Sequence, residues 1–166
     1  MNQVMRPRDR QIFGEPDGNG LVRCHHLGIA VPALEPTIPM YADIFGYRLQ
    51  SGPFEDQIQR VKVCFLGKGE AGEVLLELVA PLAENTPIKG VLAKGGGAYH
   101  ICFEARDIEK TLADVARKGC VIVSQPVPAM AFDCRRIAWF FTPTGQLVEL
   151  VETAFKDDET ISSAPK

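Results

Sequence analysis

The sequence predicts an α+β fold in which two β-α-β-β-β modules build a cupped, barrel-like mixed sheet with the helices outside. Three observations predict it. The chain resembles itself between its first and second halves. Within each half, short apolar runs of strand length surround one longer run of helical length. Both halves close on the same Leu-x-Glu-Leu-Val pattern, around Glu77 and around Glu149.

Taken in order, His26 opens an apolar strand, Leu27 to Val31, and a helical stretch runs from Leu34 to Phe45 before Gly46 ends it. His100 opens the matching strand, Ile101 to Ala105, and Ile108 to Lys118 is the matching helix before Gly119. The step from histidine to helix start is eight residues in both halves, and the step to the closing glycine is twenty and nineteen. Chance rarely supplies such agreement, so the repeat is structural. Each helix leads to a strand ending in serine, Tyr47 to Ser51 and Cys120 to Ser124. A Pro-containing loop and two further strands follow: Arg60 to Leu66 and Val74 to Val79, then Arg136 to Phe141 and Gln146 to Val151. Turns at Gly67-Lys68-Gly69 and Pro143-Thr144-Gly145 separate them.

The folded unit is therefore residues 22–153, with module one at 22–81, a linker at 82–97 and module two at 98–153. Within the linker, Ile88 to Ala93 is expected as a short helix before the turn Gly95-Gly96-Gly97. Residues 1–21 and 154–166 are polar and rich in turn formers, and are expected to be a flexible N-terminal arm and C-terminal tail.

A hydrophobic fraction of 46% in 166 residues is enough for a buried core. A net charge of −3 gives no electrostatic reason to expect binding to nucleic acid or to an acidic membrane. Arg6, Arg8 and Arg10 precede no apolar run, so neither export nor membrane insertion is expected. Cys24, Cys64, Cys102, Cys120 and Cys134 are scattered and odd in number, with no C-x-x-C pair. They read as reduced thiols of a cytoplasmic protein rather than a disulfide framework or thiolate zinc site.

The repeat also duplicates chemistry. Glu77 follows His26 by 51 residues and Glu149 follows His100 by 49, so two His/Glu pairs occupy equivalent places. Side chains at i, i+2 and i+4 of a strand share a face. From His26 that face continues with the small residues Gly28 and Ala30, leaving room inside the cup, while His25, Leu27, Ile29 and Val31 point to the helix-covered side. A lone carboxylate among the apolar neighbours of Glu77 and Glu149 costs several kcal/mol unless paired or metal-bound. Taken singly, each of the four is an ordinary strand residue. As a set, two imidazoles and two carboxylates make a mixed N/O site for one divalent ion such as Co, Ni, Zn, Mn or Fe. His25 is expected as a packed or edge histidine and Tyr99 as a packing residue on the opposite face. Trp139, Phe140 and Phe141 are expected as strand core, with Trp139 able to line a pocket. Arg135 and Arg136 are either an anion grip or solvated surface arginines.

These residues resemble the vicinal oxygen chelate (glyoxalase/bleomycin resistance/dioxygenase) superfamily, whose paired modules build a cupped sheet around a metal. Within it the chain is most similar to the methylmalonyl-CoA epimerase family. The likeness lies in His26-Leu-Gly-Ile-Ala-Val31, Gln59 to Leu66, Leu76-Glu-Leu-Val-Ala-Pro-Leu82 with Thr86-Pro87-Ile88, Gly97 to Glu104 with Asp107-Ile108-Glu109, and Leu147-Val-Glu-Leu-Val-Glu152. By this resemblance His26, His100 and Glu149 match the metal ligands, and Glu77 stands where that family has Glu or Gln. The position of a glutamate base in some epimerases is taken by Val63, and Thr142-Pro143-Thr144-Gly145 replaces the family's His-Pro-Lys and glycine-rich loop.

The resemblance implies a metal-dependent isomerase that removes a proton next to a carbonyl, with Glu149 or Glu77 as base and a small-molecule substrate of the acyl-CoA type. It also implies a homodimer. Two alternatives share the residues: a glyoxalase I-like lactoylglutathione lyase, and a binding protein that sequesters a small molecule in its cup.

Overall fold

A computed structural model describes residues 20–154. Residues 155–166 of the expected tail and 1–19 of the expected arm lie outside the described residues, but Leu21 already belongs to the first strand. Module one comprises β1 (Leu21–Ala30), α1 (Leu34–Phe45), β2 (Arg48–Asp56), β3 (Val61–Gly67) and β4 (Leu75–Pro81). A short helix α2 (Lys89–Leu92) leads to β5 (Gly97–Ala105), α3 (Ile108–Arg117), β6 (Val121–Ile122), β7 (Val127–Pro128), a 3-10 turn at Met130–Phe132, β8 (Arg136–Phe141) and β9 (Leu147–Glu152).

The strands form one mixed sheet in the order β2-β3-β4-β1-β5-β9-β8-β6, with β7 on β8. That order reads equivalently from either edge. β1 pairs parallel with β4, and β5 pairs parallel with β9. The modules meet where β1 runs antiparallel to β5. The sheet is not closed: β2 and β6 end the path. Among the described residues no helix is long and apolar enough to cross a membrane.

Each helix is fixed locally by similar means. Asp107 caps α3 by accepting from the Lys110 N–H, and Thr111 Oγ1 donates back to the Asp107 carbonyl. In α1 the cap is Ala33, whose carbonyl receives Thr37 Oγ1, and Gly46 at φ 73° ends the helix, its N–H donating to the Ala42 carbonyl and that of Tyr47 to the Tyr41 carbonyl. α1 covers Val31, Cys64, Leu66, Leu78 and Ala80 through Leu34, whereas α3 covers Ala138, Phe140, Val148 and Leu150 through Ile108 and Leu112. Alternation sends Glu77 and Glu149, between those apolar neighbours, to the other face of the sheet.

Three expectations differ from the structure in detail. β1 begins five residues before His26, so the histidine is mid-strand. The strand expected at Cys120 to Ser124 is reduced to two-residue β6, and a separate two-residue β7 follows. Pro126 and Pro128 supply no amide hydrogen, so this edge cannot form a continuous ladder on β8. Phe141, expected in the core, sits at the end of β8 and is exposed, while Phe140 is buried.

Candidate metal centre

The register of the four central strands builds the site. Gly28 of β1 lies opposite Glu77 of β4 on one side and His100 of β5 on the other. Cys102 of β5 lies opposite His26 of β1 and Glu149 of β9. The two His/Glu pairs thus interlock across β1 and β5 about a pseudo-twofold. All four side chains are buried, and one ligand atom from each lies within 4.8 Å of every other. The absence of a side chain at Gly28 is required: a Cβ there would stand 1.8 Å from His100 Cε1.

Around this centre the His26 and His100 Nε2 atoms face each other at 2.9 Å. His26 Nε2 is 3.3 Å from Glu77 Oε2 and 3.1 Å from Glu149 Oε2, and His100 Nε2 is 3.3 and 3.6 Å from the same atoms. Glu149 Oε2 is buried yet receives no hydrogen bond. Two facing nitrogens with an orphaned carboxylate oxygen leave lone pairs converging on one point, which a cation satisfies. Spacings near 3 Å also suit atoms that share one ion at roughly 2.0–2.2 Å. The donor set therefore fits a divalent metal.

Electrostatics agrees. Burial opposes an imidazolium at His26, but the adjacent Glu77 and Glu149 carboxylates outweigh it and raise its pKa to about 10. Burial likewise opposes ionisation of Glu77, yet His26 and His100 hold its carboxyl well below the usual carboxylate range. Glu149 is lowered against the same burial by the His100 and His26 imidazoles beside it. Without an ion, the centre takes up protons to balance its two carboxylates.

Strict alternation fails beside both candidate ligand histidines. Between β1 and β5 the pairing moves from Cys24↔Phe103 to His26↔Cys102, two steps on β1 for one on β5, so His25 is the extra residue of a bulge. It then moves from Gly28↔His100 to Ile29↔Ala98, which makes Tyr99 the extra residue of the equivalent bulge on β5. Each bulge turns the residue before a candidate ligand histidine into the cup, not to the helix-covered side as expected. His25 packs edge-on against Phe65 and Phe132, with its Nδ1 2.9 Å from His26 Nδ1. Tyr99 packs edge-on against His100 and lines the cavity. His25 is thus no edge residue, and sequence alternation alone had no signal for either bulge.

The cup holds a small cavity, open to solvent, whose lining includes Glu77, Glu149, Tyr99, Trp139 and Asp56. Trp139 fulfils the pocket expectation, standing against the His100 ring. Asp56, a carboxylate the sequence did not single out, is buried and accepts from the Gln59 N–H. The arginines offer no free anion grip. Arg135 donates to the Phe132 and Glu152 carbonyls, and Arg136 pairs with Glu109 and Glu152.

Residues 25–155 match the family model of the glyoxalase/bleomycin resistance protein/dioxygenase superfamily, and the chain belongs to that superfamily. Within it, the chain is similar to methylmalonyl-CoA epimerases. It is 36% identical over 132 residues to the ethylmalonyl-CoA/methylmalonyl-CoA epimerase of Cereibacter sphaeroides, covering 77% of this chain and 96% of that one. To the human mitochondrial methylmalonyl-CoA epimerase it is 34% identical over 110 residues, 64% of this chain and 60% of that relative's length. The solved Streptomyces coelicolor methylmalonyl-CoA epimerase, a variant in complex with 2-nitronate-propionyl-CoA, superposes with a TM-score of 0.69 at 27% identity, over 81% of this chain and 99% of that one.

Proposed function

We propose that the chain is a metal-dependent isomerase that epimerises an acyl-CoA thioester of the methylmalonyl-CoA class. One observation carries the reading: two imidazoles and two carboxylates converge, buried, and both carboxylates line a cavity. The similarity to methylmalonyl-CoA epimerases supplies the substrate class.

In this reading His26, Glu77, His100 and Glu149 hold one divalent ion of the Co, Ni, Zn, Mn or Fe group. A bound ion would act as a Lewis acid toward a thioester carbonyl, whose α-proton is otherwise too weakly acidic to leave near neutral pH. Epimerisation then requires a proton to leave one face of the α-carbon and return to the other. Glu77 on β4 and Glu149 on β9 approach the centre from opposite sides of the pseudo-twofold, and both line the cavity. One carboxylate, ionised, would accept the proton, while the other would have to enter the cycle protonated to return one, so each turnover leaves their protonation exchanged until solvent resets it. Phe132, Val63, Val79 and Trp139 supply apolar walls beside the two carboxylates. Five unpaired thiols fit a reducing cytoplasmic compartment.

The test is to assay the metal-loaded chain in parallel with one epimer of methylmalonyl-CoA and with the hemithioacetal of methylglyoxal and glutathione. The reading expects turnover of the thioester. Turnover of the hemithioacetal alone moves the chain to glyoxalase chemistry, and turnover of neither, with tight binding of another small molecule, leaves a binding protein.

A further inference from the structure

We infer that His25 is a positioning residue for His26, and that it passes an orientation set by the Arg23–Glu104 pair to the metal centre. This rests on the metal reading above. A nitrogen that binds a metal must present a lone pair, and on an imidazole that is settled by which ring nitrogen carries the proton. His26 turns Nε2 toward His100, Glu77 and Glu149, so its proton belongs on Nδ1. Among the described residues, the hydrogen-bond partner of His26 Nδ1 is His25 Nδ1, at 2.9 Å. Two Nδ1 atoms at this distance need one donor and one acceptor, so His25 must offer a lone pair there and carry its own proton on Nε2.

What favours that tautomer is on the adjacent strand. His25 Nε2 faces Glu104 Oε1 at 4.0 Å, and Glu104 is clamped by two hydrogen bonds from Arg23, at 3.0 and 3.1 Å. A fixed carboxylate oxygen attracts an N–H and repels a lone pair, so it places the proton of His25 on Nε2. The order is then set throughout: Arg23 fixes Glu104, Glu104 sets His25, and His25 accepts from His26, whose Nε2 is left bare for the ion. The bulge on β1 makes this possible, because a flat strand would send His25 to the other face. The second histidine has no equivalent. His100 Nδ1 is buried without a hydrogen-bond partner, and the residue the matching bulge brings beside it is Tyr99. The centre therefore has one histidine anchored from behind and one held by packing alone.

Two measurements on the full chain with zinc as the probe test this. Long-range proton–nitrogen NMR of the zinc-loaded chain should show His25 protonated on Nε2 and His26 on Nδ1, and finding His25 protonated on Nδ1 overturns the inference. Zinc affinity by chelator competition should fall roughly 10- to 100-fold in His25→Phe, which keeps a ring between Phe65 and Phe132 but has no acceptor. His25→Asn, whose amide oxygen can stand where Nδ1 stood, should restore most of it. Equal zinc affinity in all three proteins removes the inference and leaves the metal reading intact. Failure of the unaltered chain to bind zinc, cobalt or nickel removes both.

Discussion

Gly28→Ala adds a single methyl group and should dismantle the centre. Its Cβ would lie 1.8, 2.1 and 2.4 Å from Cε1, Nδ1 and Nε2 of His100, where a carbon needs about 3.5–4.0 Å. The ring must therefore retreat by roughly 2 Å, which is as long as a metal–nitrogen bond itself. It has nowhere to retreat, because Trp139 and Tyr99 stand edge-on against it with centroids at 4.9 and 4.5 Å. Overpacking of this kind costs roughly 1–3 kcal/mol in stability, and the centre loses a ligand as well. Zinc affinity should fall by at least the roughly 100-fold upper range of an outer-shell change, and thioester turnover should fall with it. The assay is chelator competition alongside a thermal melt, which separates a folded chain with a poor site from an unfolded one. If Gly28→Ala folds and binds zinc within twofold of the unaltered chain, the placement of His100 is wrong and so is the site built on it.

Two other perturbations address the carboxylates and the protons. Glu149→Gln keeps an oxygen for the ion but removes the proton acceptor, so epimerisation should fall about 10²- to 10⁴-fold while metal remains detectable by elemental analysis. Full turnover in that variant would end the base role. For the metal-free chain, the pKa of His26 is raised from 6.5 to about 10, so its contribution to stability is complete below pH 6.5 and is lost as pH rises toward 10. Glu77 is depressed from 4.5, so its contribution is present above that pH and is lost on acidification. The melting temperature in EDTA should therefore be highest between pH 4.5 and 6.5, and saturating zinc should abolish the alkaline decline by replacing the proton. An unchanged melting temperature from pH 6 to 10 in EDTA would contradict the coupling.

The repeat was legible because each half must solve the same packing problem with the same periodicities. The step from His26 to Leu34 is matched from His100 to Ile108, and the paired Leu-x-Glu-Leu-Val strands place a carboxylate on the cup face twice. Those are local signals, since alternation along a strand and the length of an apolar run depend only on neighbours in the chain. Hence the modules, the helices and the four converging residues could be read without coordinates.

Register is not local. Whether His25 and Tyr99 face the helices or the cup depends on one extra residue in the pairing of β1 with β5, strands 74 residues apart at their histidines, and no pattern within either strand records it. The same holds for Arg136, whose partners Glu109 and Glu152 come from two other elements, and for Asp56, which joins the cavity lining at the end of β2, where it pairs with Val61 of β3. The sequence by itself determined which side chains could bind an ion. Tertiary structure alone decided what stands behind them, because a β-bulge is a property of two strands together and reverses the face of the residue it displaces.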